Sequence, residues 1–287
     1  MVVEYLSASR IRTLCQDAQI SPSKMLGQNF MVDSGQVQKI VDTAKIHATD
    51  TILEVGPGLG SLTLGLLGTN ASVVAVELDK RLADLLPSTV ERHAPEFADN
   101  LSVLSQDALE LKPSSLDVTP TKLVANLPYN VGTQILLTVL SRFESVKSAL
   151  VLVQAEVAER LCAAPGSKVY GIPSAKLNWF GSATIAGVVP RSAFFPVPRV
   201  DSKLVHFVRH TQPKSFTTGV HRDDVFSLIN LGFSQRRKTL KSLLGQSGFD
   251  KIEVAEKLDS LQIDPLARAE TLSIEQFATL SKILLTP

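Results

Sequence analysis

Short apolar runs rich in valine, isoleucine and leucine recur through the first half of the chain at residues 51–55, 72–76, 101–105, 122–125 and 149–153. Their continuity, with little polar alternation, predicts strands buried on both faces, as in a parallel sheet. Between them the apolar spacing turns helical at 61–67, 80–91, 133–142 and 156–163. Repeated β-α units of this kind imply a doubly wound α/β sheet. Two later runs, 184–189 and 203–208, have no helix between them. They are joined by the proline-rich stretch Phe194-Phe195-Pro196-Val197-Pro198, so they are expected to pair antiparallel at the sheet edge. Residues 211–220 are polar and contain a proline and a glycine, and from Asp223 to Leu285 three or four amphipathic helical segments are punctuated by Gly245, Gly248 and Pro265. The pattern predicts two domains, 1–209 and 210–287, the second small and all-helical, joined by that polar linker.

The composition narrows the class. Of 287 residues, 44% are hydrophobic and 20% charged, which excludes wholesale disorder. The longest apolar stretches, such as 149–153, are far short of the ~20 residues that cross a bilayer, so no membrane association is expected. The first residues carry Glu4 and no basic-then-apolar leader, which predicts a cytoplasmic protein with reduced thiols at Cys15 and Cys162. Neither the cysteines nor the five histidines have metal-ligand spacing, so no metal site is expected. Formal net charge is only +1, yet the charge is unevenly spread. Residues 51–110 hold three basic against nine acidic side chains, and residues 151–250 thirteen basic against six acidic. The densest cluster, Arg236, Arg237, Lys238 and Lys241, fits either a face that meets a polyanion or a solvated helix surface.

The candidate chemistry lies at the ends of the predicted strands. Glu54-Val55-Gly56-Pro57-Gly58-Leu59-Gly60 follows the first strand and opens a helix, where backbone amides can approach a ligand unobstructed by Cβ atoms. The dinucleotide fingerprint would need glycine or alanine where Ser61 stands, which argues against a nicotinamide cofactor. Glu77 ends the second strand, where a carboxylate can accept both hydroxyls of a ribose. Asp107 follows the third, where it can read an adenine amino group or cap a turn. Asn126-Leu127-Pro128-Tyr129 follows the fourth. An exocyclic adenine amine is a poor nucleophile because its lone pair is delocalised into the ring. The Asn126 side-chain oxygen and a backbone carbonyl, accepting from its two N–H groups, would favour the pyramidal amine, and Tyr129 would stack on a flipped base. The alternative is an asparagine capping a helix that begins with proline.

These motifs together resemble the small-subunit rRNA adenine N6,N6-dimethyltransferases, and the resemblance runs from Lys24 to about Leu280. Besides the two motifs above it rests on Leu26-Gly27-Gln28-Asn29-Phe30-Met31-Val32-Asp33, on Gln154 to Leu161 and Gly166 to Gly171, and on Phe194 to Ser202. It extends through Phe233 to Leu240, Ile263-Asp264-Pro265 and Arg268-Ala269-Glu270. Met31 stands where the family usually has leucine, and Pro173 where it often has leucine. Leu127 separates the chain from the 23S rRNA adenine methyltransferases, whose motif typically has isoleucine there.

The resemblance implies a Rossmann-like class I S-adenosylmethionine-dependent methyltransferase sheet with a C-terminal helical rRNA-binding domain. It implies transfer of methyl groups to N6 of two adjacent adenosines in a hairpin loop near the 3′ end of 16S rRNA, within the small (30S) subunit and late in its assembly, by a monomer. By the same resemblance Asn29, Met31, Gly56, Gly58, Glu77 and Asp107 hold the cofactor. Asn126 faces both cofactor and substrate, the Leu127 carbonyl and Tyr129 act on the base, Phe194 lies near it, and Arg236, Arg237 and Lys238 contact phosphates. Two competing readings are a non-catalytic RNA-binding assembly factor on the same fold and a 23S rRNA methyltransferase. A small-molecule methyltransferase is disfavoured by the basic helical appendage.

Overall fold

The computed structural model describes residues 3–22, 27–211 and 218–285; Lys24 and Leu26 of the N-terminal signature and residues 212–217 of the expected linker lie outside them. The chain opens with α1 (Ala8–Asp17), the two-residue strand β1 (Phe30–Met31) and α2 (Ser34–Ala44). A regular alternation follows: β2 (Thr51–Val55), α3 (Ser61–Leu67), β3 (Ser72–Glu77), α4 (Lys80–His93), β4 (Leu101–Ser105), β5 (Lys122–Asn126), α5 (Gly132–Arg142), β6 (Ser148–Gln154) and α6 (Ala155–Leu161). Then come α7 (Ile172–Phe180), β7 (Gly181–Val189), β8 (Phe194–Phe195) and β9 (Ser202–Arg209). Four helices end the chain, α8 (Arg222–Phe233), α9 (Leu240–Gln246), α10 (Lys251–Ser260) and α11 (Ile274–Leu285).

The main sheet has the order β4-β3-β2-β5-β6-β9-β7. Strands β2 to β6 run parallel to one another, and β9 runs antiparallel to β6 from Gln154↔Ser202 to Ser148↔Val208. The two late runs are neighbours at the edge as expected, with β7 outermost. The chain proceeds from β2 outward through β3 and β4, then returns to place β5 on the other side of β2. A crevice opens at such a reversal, outside the carboxyl ends of the strands. Register puts Val55 beside Val76 and Glu77 beside Ser105, so Gly56, Glu77 and Gln106 leave the sheet at one edge.

Local sequence explains the elements that flank the crevice. Asp79 caps α4 by accepting from the Arg81 amide, and Leu82, Leu86 and Val90 bury one stripe of that helix. Every residue of α3 is buried, so this short helix packs on all sides rather than along one stripe. β1 and β8 form a separate antiparallel ribbon, with Phe30 opposite Phe195 and Met31 opposite Phe194.

The chain divides into two compact units, 1–158 with 184–209, and 159–183 with 210–287. The expected boundary after residue 209 is one of its crossings, but residues 159–183 belong to the second unit. Its core explains why: Ala163, Tyr170 and Ala175 are buried with Val225, Ile229, Leu244 and Phe277. The Tyr170 hydroxyl donates to the Leu272 carbonyl at 3.0 Å. The second unit is helical, with α7 preceding α8, α9, α10 and α11.

Candidate functional site

One cavity in the first unit takes in the carboxyl ends of β2, β3, β4 and β5 and the start of β1, and nine of the sequence-selected residues line it: Asn29, Met31, Gly56, Gly58, Glu77, Asp107, Asn126, Leu127 and Tyr129.

The floor is the turn after β2. Gly56 has φ +72° and Gly58 φ +59°, in the left-handed region that side chains rarely adopt, so these positions require glycine. The Gly56 amide donates to the Val76 carbonyl at 2.9 Å, and the Gly58 amide to Glu77 Oε2 at 3.1 Å. Glu77 Oε1 accepts from the Asp79 amide at 3.0 Å. Both carboxylate oxygens are thus aimed by backbone donors, and lone-pair capacity remains for a ligand. Burial raises the Glu77 carboxyl above its ordinary range; the amides of Asp79, Gly58 and Leu78 oppose the rise, and the neighbouring Asp79 charge adds to it.

Beneath the turn lies a second carboxyl. Glu54 is 1% exposed, accepts from Thr63 Oγ1 at 2.7 Å, and is pushed up to about 8, chiefly by burial. The Glu77 charge pushes the same way. Burial thus favours the neutral form of Glu54, a point that its place in the glycine motif does not reveal. At the far side of the crevice, Asp107 Oδ1 accepts from the Leu109 amide at 2.8 Å, so this residue does cap a turn. Its other oxygen has no partner among the described residues, leaving one acceptor for a ligand.

The end of β5 differs from the helix-cap alternative. α5 begins only at Gly132, with Val131 at its cap position and no side-chain cap. The Asn126 side chain instead donates from Nδ2 to the Asn29 carbonyl at 3.1 Å, tying β5 to the N-terminal motif. Its Oδ1 is buried and accepts nothing among the described residues. The Leu127 amide donates to the Leu152 carbonyl at 3.1 Å, while no described residue donates to the Leu127 carbonyl. Two acceptors in succession thus stand unsatisfied beside a cavity. A buried acceptor left unpaired costs about 1–3 kcal/mol, which a donor on a ligand would recover. The Tyr129 hydroxyl shares a 2.6 Å hydrogen bond with Ser202 Oγ at the start of β9, and Ser202 is fully buried. This tether orients the ring, and burial pushes the phenol up.

The N-terminal motif is held over the site from two directions. The Met31 carbonyl accepts from Ser61 Oγ at 2.7 Å, and the Phe30 ring lies against the Gly58 backbone. Thr63 and the exposed Leu78, which lines the cavity, escaped the sequence reading, and Ser202 was marked there only as the end of a motif, with no role. The roles of Thr63 and Ser202 depend on partners 9 and 73 positions away, which no local pattern reveals.

The remaining sequence-selected residues lie elsewhere. Phe194 is 1% exposed in the core of the first unit, paired through β8 with Met31, and does not line the cavity. Phe194 packs in the ribbon that carries Met31. In the second unit, Arg236 donates to the carbonyls of Lys168 and Tyr170 and pairs with Glu270 at 3.2 Å, so it ties its own loop together. Lys238 donates to Gln246 Oε1 at 3.1 Å. Arg237 is exposed and makes no hydrogen bond or ion pair to a described residue. No group of three or more potential ligand side chains is placed to hold a metal among the described residues, and none of their helices is long and apolar enough to cross a membrane.

The fit for a methyl-donating nucleoside is direct. Glycine backbone at positive φ gives close approach, Glu77 and Asp107 offer carboxylate acceptors, and Asn126 Oδ1 awaits a donor. Comparison with known proteins points the same way. The family model described as ribosomal RNA adenine dimethylase matches residues 21–285. A protein of Rhodococcus opacus (strain B4) named ribosomal RNA small subunit methyltransferase A is 47% identical over 276 residues, covering 96% of this chain and 93% of the relative. Among solved structures, a dimethyladenosine transferase from Plasmodium falciparum superposes with a TM-score of 0.72 at 26% identity, over 88% of this chain and 95% of the other. The 23S rRNA methyltransferase ErmE gives a TM-score of 0.63 at 24% identity, over 89% and 99%, a likeness of fold alone.

Proposed function

The chain belongs to the ribosomal RNA adenine dimethylase family, and from that premise we propose how its own residues carry the reaction. It is an S-adenosylmethionine-dependent adenine N6,N6-dimethyltransferase acting on rRNA of the small subunit. When bound, S-adenosylmethionine would supply a sulfonium methyl group whose carbon the adenine N6 attacks in line, the C–S bond breaking as the thioether leaves.

The unpartnered, buried Oδ1 of Asn126 is the observation that carries the assignment of roles. This oxygen and the Leu127 carbonyl accept the two N6 hydrogens, which draws the amine toward a pyramidal geometry and aims its lone pair. Tyr129, held at its hydroxyl by Ser202, stacks on the flipped base. Glu77 accepts from the ribose and Asp107 from the adenine amine of the cofactor, while Asn29, Met31, Gly56 and Gly58 enclose it. Catalysis is chiefly orientation and exclusion of water, with no covalent intermediate on the protein. The proton leaves N6 after transfer, when it is acidic, so no strong base is needed.

The target is a hairpin loop of 16S rRNA within the small (30S) subunit late in assembly, and the enzyme works as a cytoplasmic monomer. The second unit binds the RNA, with Arg237 the cation placed to meet a phosphate. The test is labelled methyl transfer to under-methylated small subunits, with large subunits as control. Asn126→Ala is expected to lower kcat on the order of 10²–10³-fold, the usual effect of removing one preorganised polar group at the reacting centre. Cofactor binding should fall far less. An Asn126→Ala enzyme with unchanged kcat would remove this residue from the chemistry.

A further inference from the structure

The two ends of an asparagine side-chain amide are alike in size and opposite in chemistry, an oxygen that accepts and a nitrogen that donates. A half-turn of the group exchanges them. At Asn126 the main chain is held in the sheet, in register with Leu152 of β6, and leaves the side chain that choice. The N-terminal motif makes it, because Nδ2 donates to the Asn29 carbonyl at 3.1 Å. A main-chain carbonyl accepts and has nothing to donate, so the atom that meets it is the nitrogen. Oδ1 is left as the other end of a residue that lines the methyl-transfer cavity, with no donor among the described residues. The reverse orientation would set two oxygens against each other and leave the nitrogen for the substrate. An amine that brings N–H bonds would then meet N–H bonds.

The Asn29 carbonyl is itself fixed from both sides. On one, Asn29 Nδ2 donates to the Gly27 carbonyl at 3.2 Å, closing the turn that precedes β1. A Cβ at Gly27 would stand 3.0 Å from the Tyr129 amide nitrogen and 3.2 Å from Asn130 Oδ1, so this turn lies directly on the main chain that follows Asn126. On the other side, Phe30 pairs with Phe195, and the Met31 carbonyl accepts from Ser61 Oγ at 2.7 Å. The carbonyl therefore does not follow the amide; the amide follows the carbonyl.

We propose that Asn29 is a positioning residue for methyl transfer: its carbonyl, locked by the turn with Gly27, holds the Asn126 amide with Oδ1 left for the substrate amine. This role rests on the reading of Asn126 as an acceptor for N6, and it supplies the reason that the oxygen rather than the nitrogen takes that place. It is exercised through the main chain, apart from the place of Asn29 beside the cofactor.

Asn126→Asp keeps an acceptor oxygen and, as a carboxylate, cannot donate to the Asn29 carbonyl. Were an acceptor enough, this variant would transfer methyl at the wild-type rate. Its kcat, measured at saturating S-adenosylmethionine and small subunits, is instead expected to fall on the order of 10²–10³-fold, as in Asn126→Ala. Asn29→Ala removes the bond that closes the turn and should lower kcat about tenfold, the effect of one aligning hydrogen bond, with KM for the small subunit little changed. A double-mutant cycle separates positioning from general loosening. In the Asn126→Ala background there is no amide to orient, so Asn29→Ala should change kcat by less than about twofold, whereas a merely structural loss would recur there at full size. Selective 15N-asparagine labelling reads the bond itself. The Asn126 side-chain resonance, identified by its loss in Asn126→Ala, should show slow proton exchange in the wild type and faster exchange in Asn29→Ala; Gly27→Ala gives the same reading if Asn29→Ala does not fold. Wild-type kcat in Asn126→Asp or in Asn29→Ala, or the same loss from Asn29→Ala in both backgrounds, overturns the proposal. Wild-type kcat in Asn126→Ala is a different failure, that of the reading of Asn126 itself, and takes the proposal with it.

Discussion

Glu54 shows how one buried side chain ties stability to pH. Its carboxyl lies beneath the glycine turn with Thr63 Oγ1 as its hydrogen-bond donor, and its folded value of about 8 exceeds the unfolded 4.5. Below pH 4.5 the group is protonated in both states and contributes no pH dependence. Between about 4.5 and 8 the unfolded chain ionises while the folded one stays neutral, so stability falls as pH rises, by up to about 1.4 kcal/mol per pH unit. Above 8 both states are ionised and the loss levels off near roughly 5 kcal/mol in total. Glu54→Gln keeps an acceptor for Thr63 and removes the titration. Urea denaturation of both proteins from pH 5 to 9 should therefore show the difference, wild type minus variant, falling steadily toward pH 8. Parallel curves across that range would mean that Glu54 is ionised in the folded protein.

Single elements show how a conformational requirement fixes sequence, and where sequence falls silent. Gly58 has φ +59°, and a Cβ there would sit 3.0 Å from Phe30 Cδ1. Gly58→Ala carries about 1–2 kcal/mol of left-handed strain and pushes the β1 ring away from the turn whose amide aims Glu77. The variant should unfold at lower urea concentration and bind S-adenosylmethionine more weakly, as calorimetry would record; wild-type affinity would mean that β1 adjusts without disturbing Glu77. The parallel strands were legible because each is a short apolar run, those of β2, β3, β4 and β5 leading into Gly56, Glu77, Asp107 and Asn126; the expected burial on both faces fails only for β4, which lies at the sheet edge with no residue fully buried. The β1–β8 ribbon was not legible, because two-residue strands carry no period. Phe194 shows the consequence: its motif marks it, but only its pairing with Met31 reveals that the ring is buried in the core. The stretch 159–183 was likewise assigned to the first domain. Chain order suggested it, whereas burial of Tyr170 among residues more than fifty positions later decides otherwise.

At the scale of the whole molecule, near-zero net charge conceals a division of labour along the sequence. The acidic stretch 51–110 supplies Glu54, Glu77 and Asp107 to the methyl-transfer cavity, and the basic stretch 151–250 supplies the second unit with its exposed cations. Sequence offered Arg236, Arg237 and Lys238 as equals, but their surroundings separate them. Arg236 is held by two carbonyls and Glu270, and Lys238 by Gln246, so recruiting either to a phosphate first breaks contacts within its own unit. Arg237 has no such contact and meets a phosphate without that cost. Arg237→Gln should therefore weaken binding to small-subunit rRNA uniformly, lower the slope of log K against log salt by about 1, and leave the melting temperature unchanged. Arg236→Gln should behave oppositely, lowering the melting temperature by loosening the loop around Tyr170 and changing the salt slope little. Equal slopes for wild type and Arg237→Gln, beside a reduced slope for Arg236→Gln, would reverse the assignment. The ion pair to Glu270 would then be a resting contact that RNA displaces.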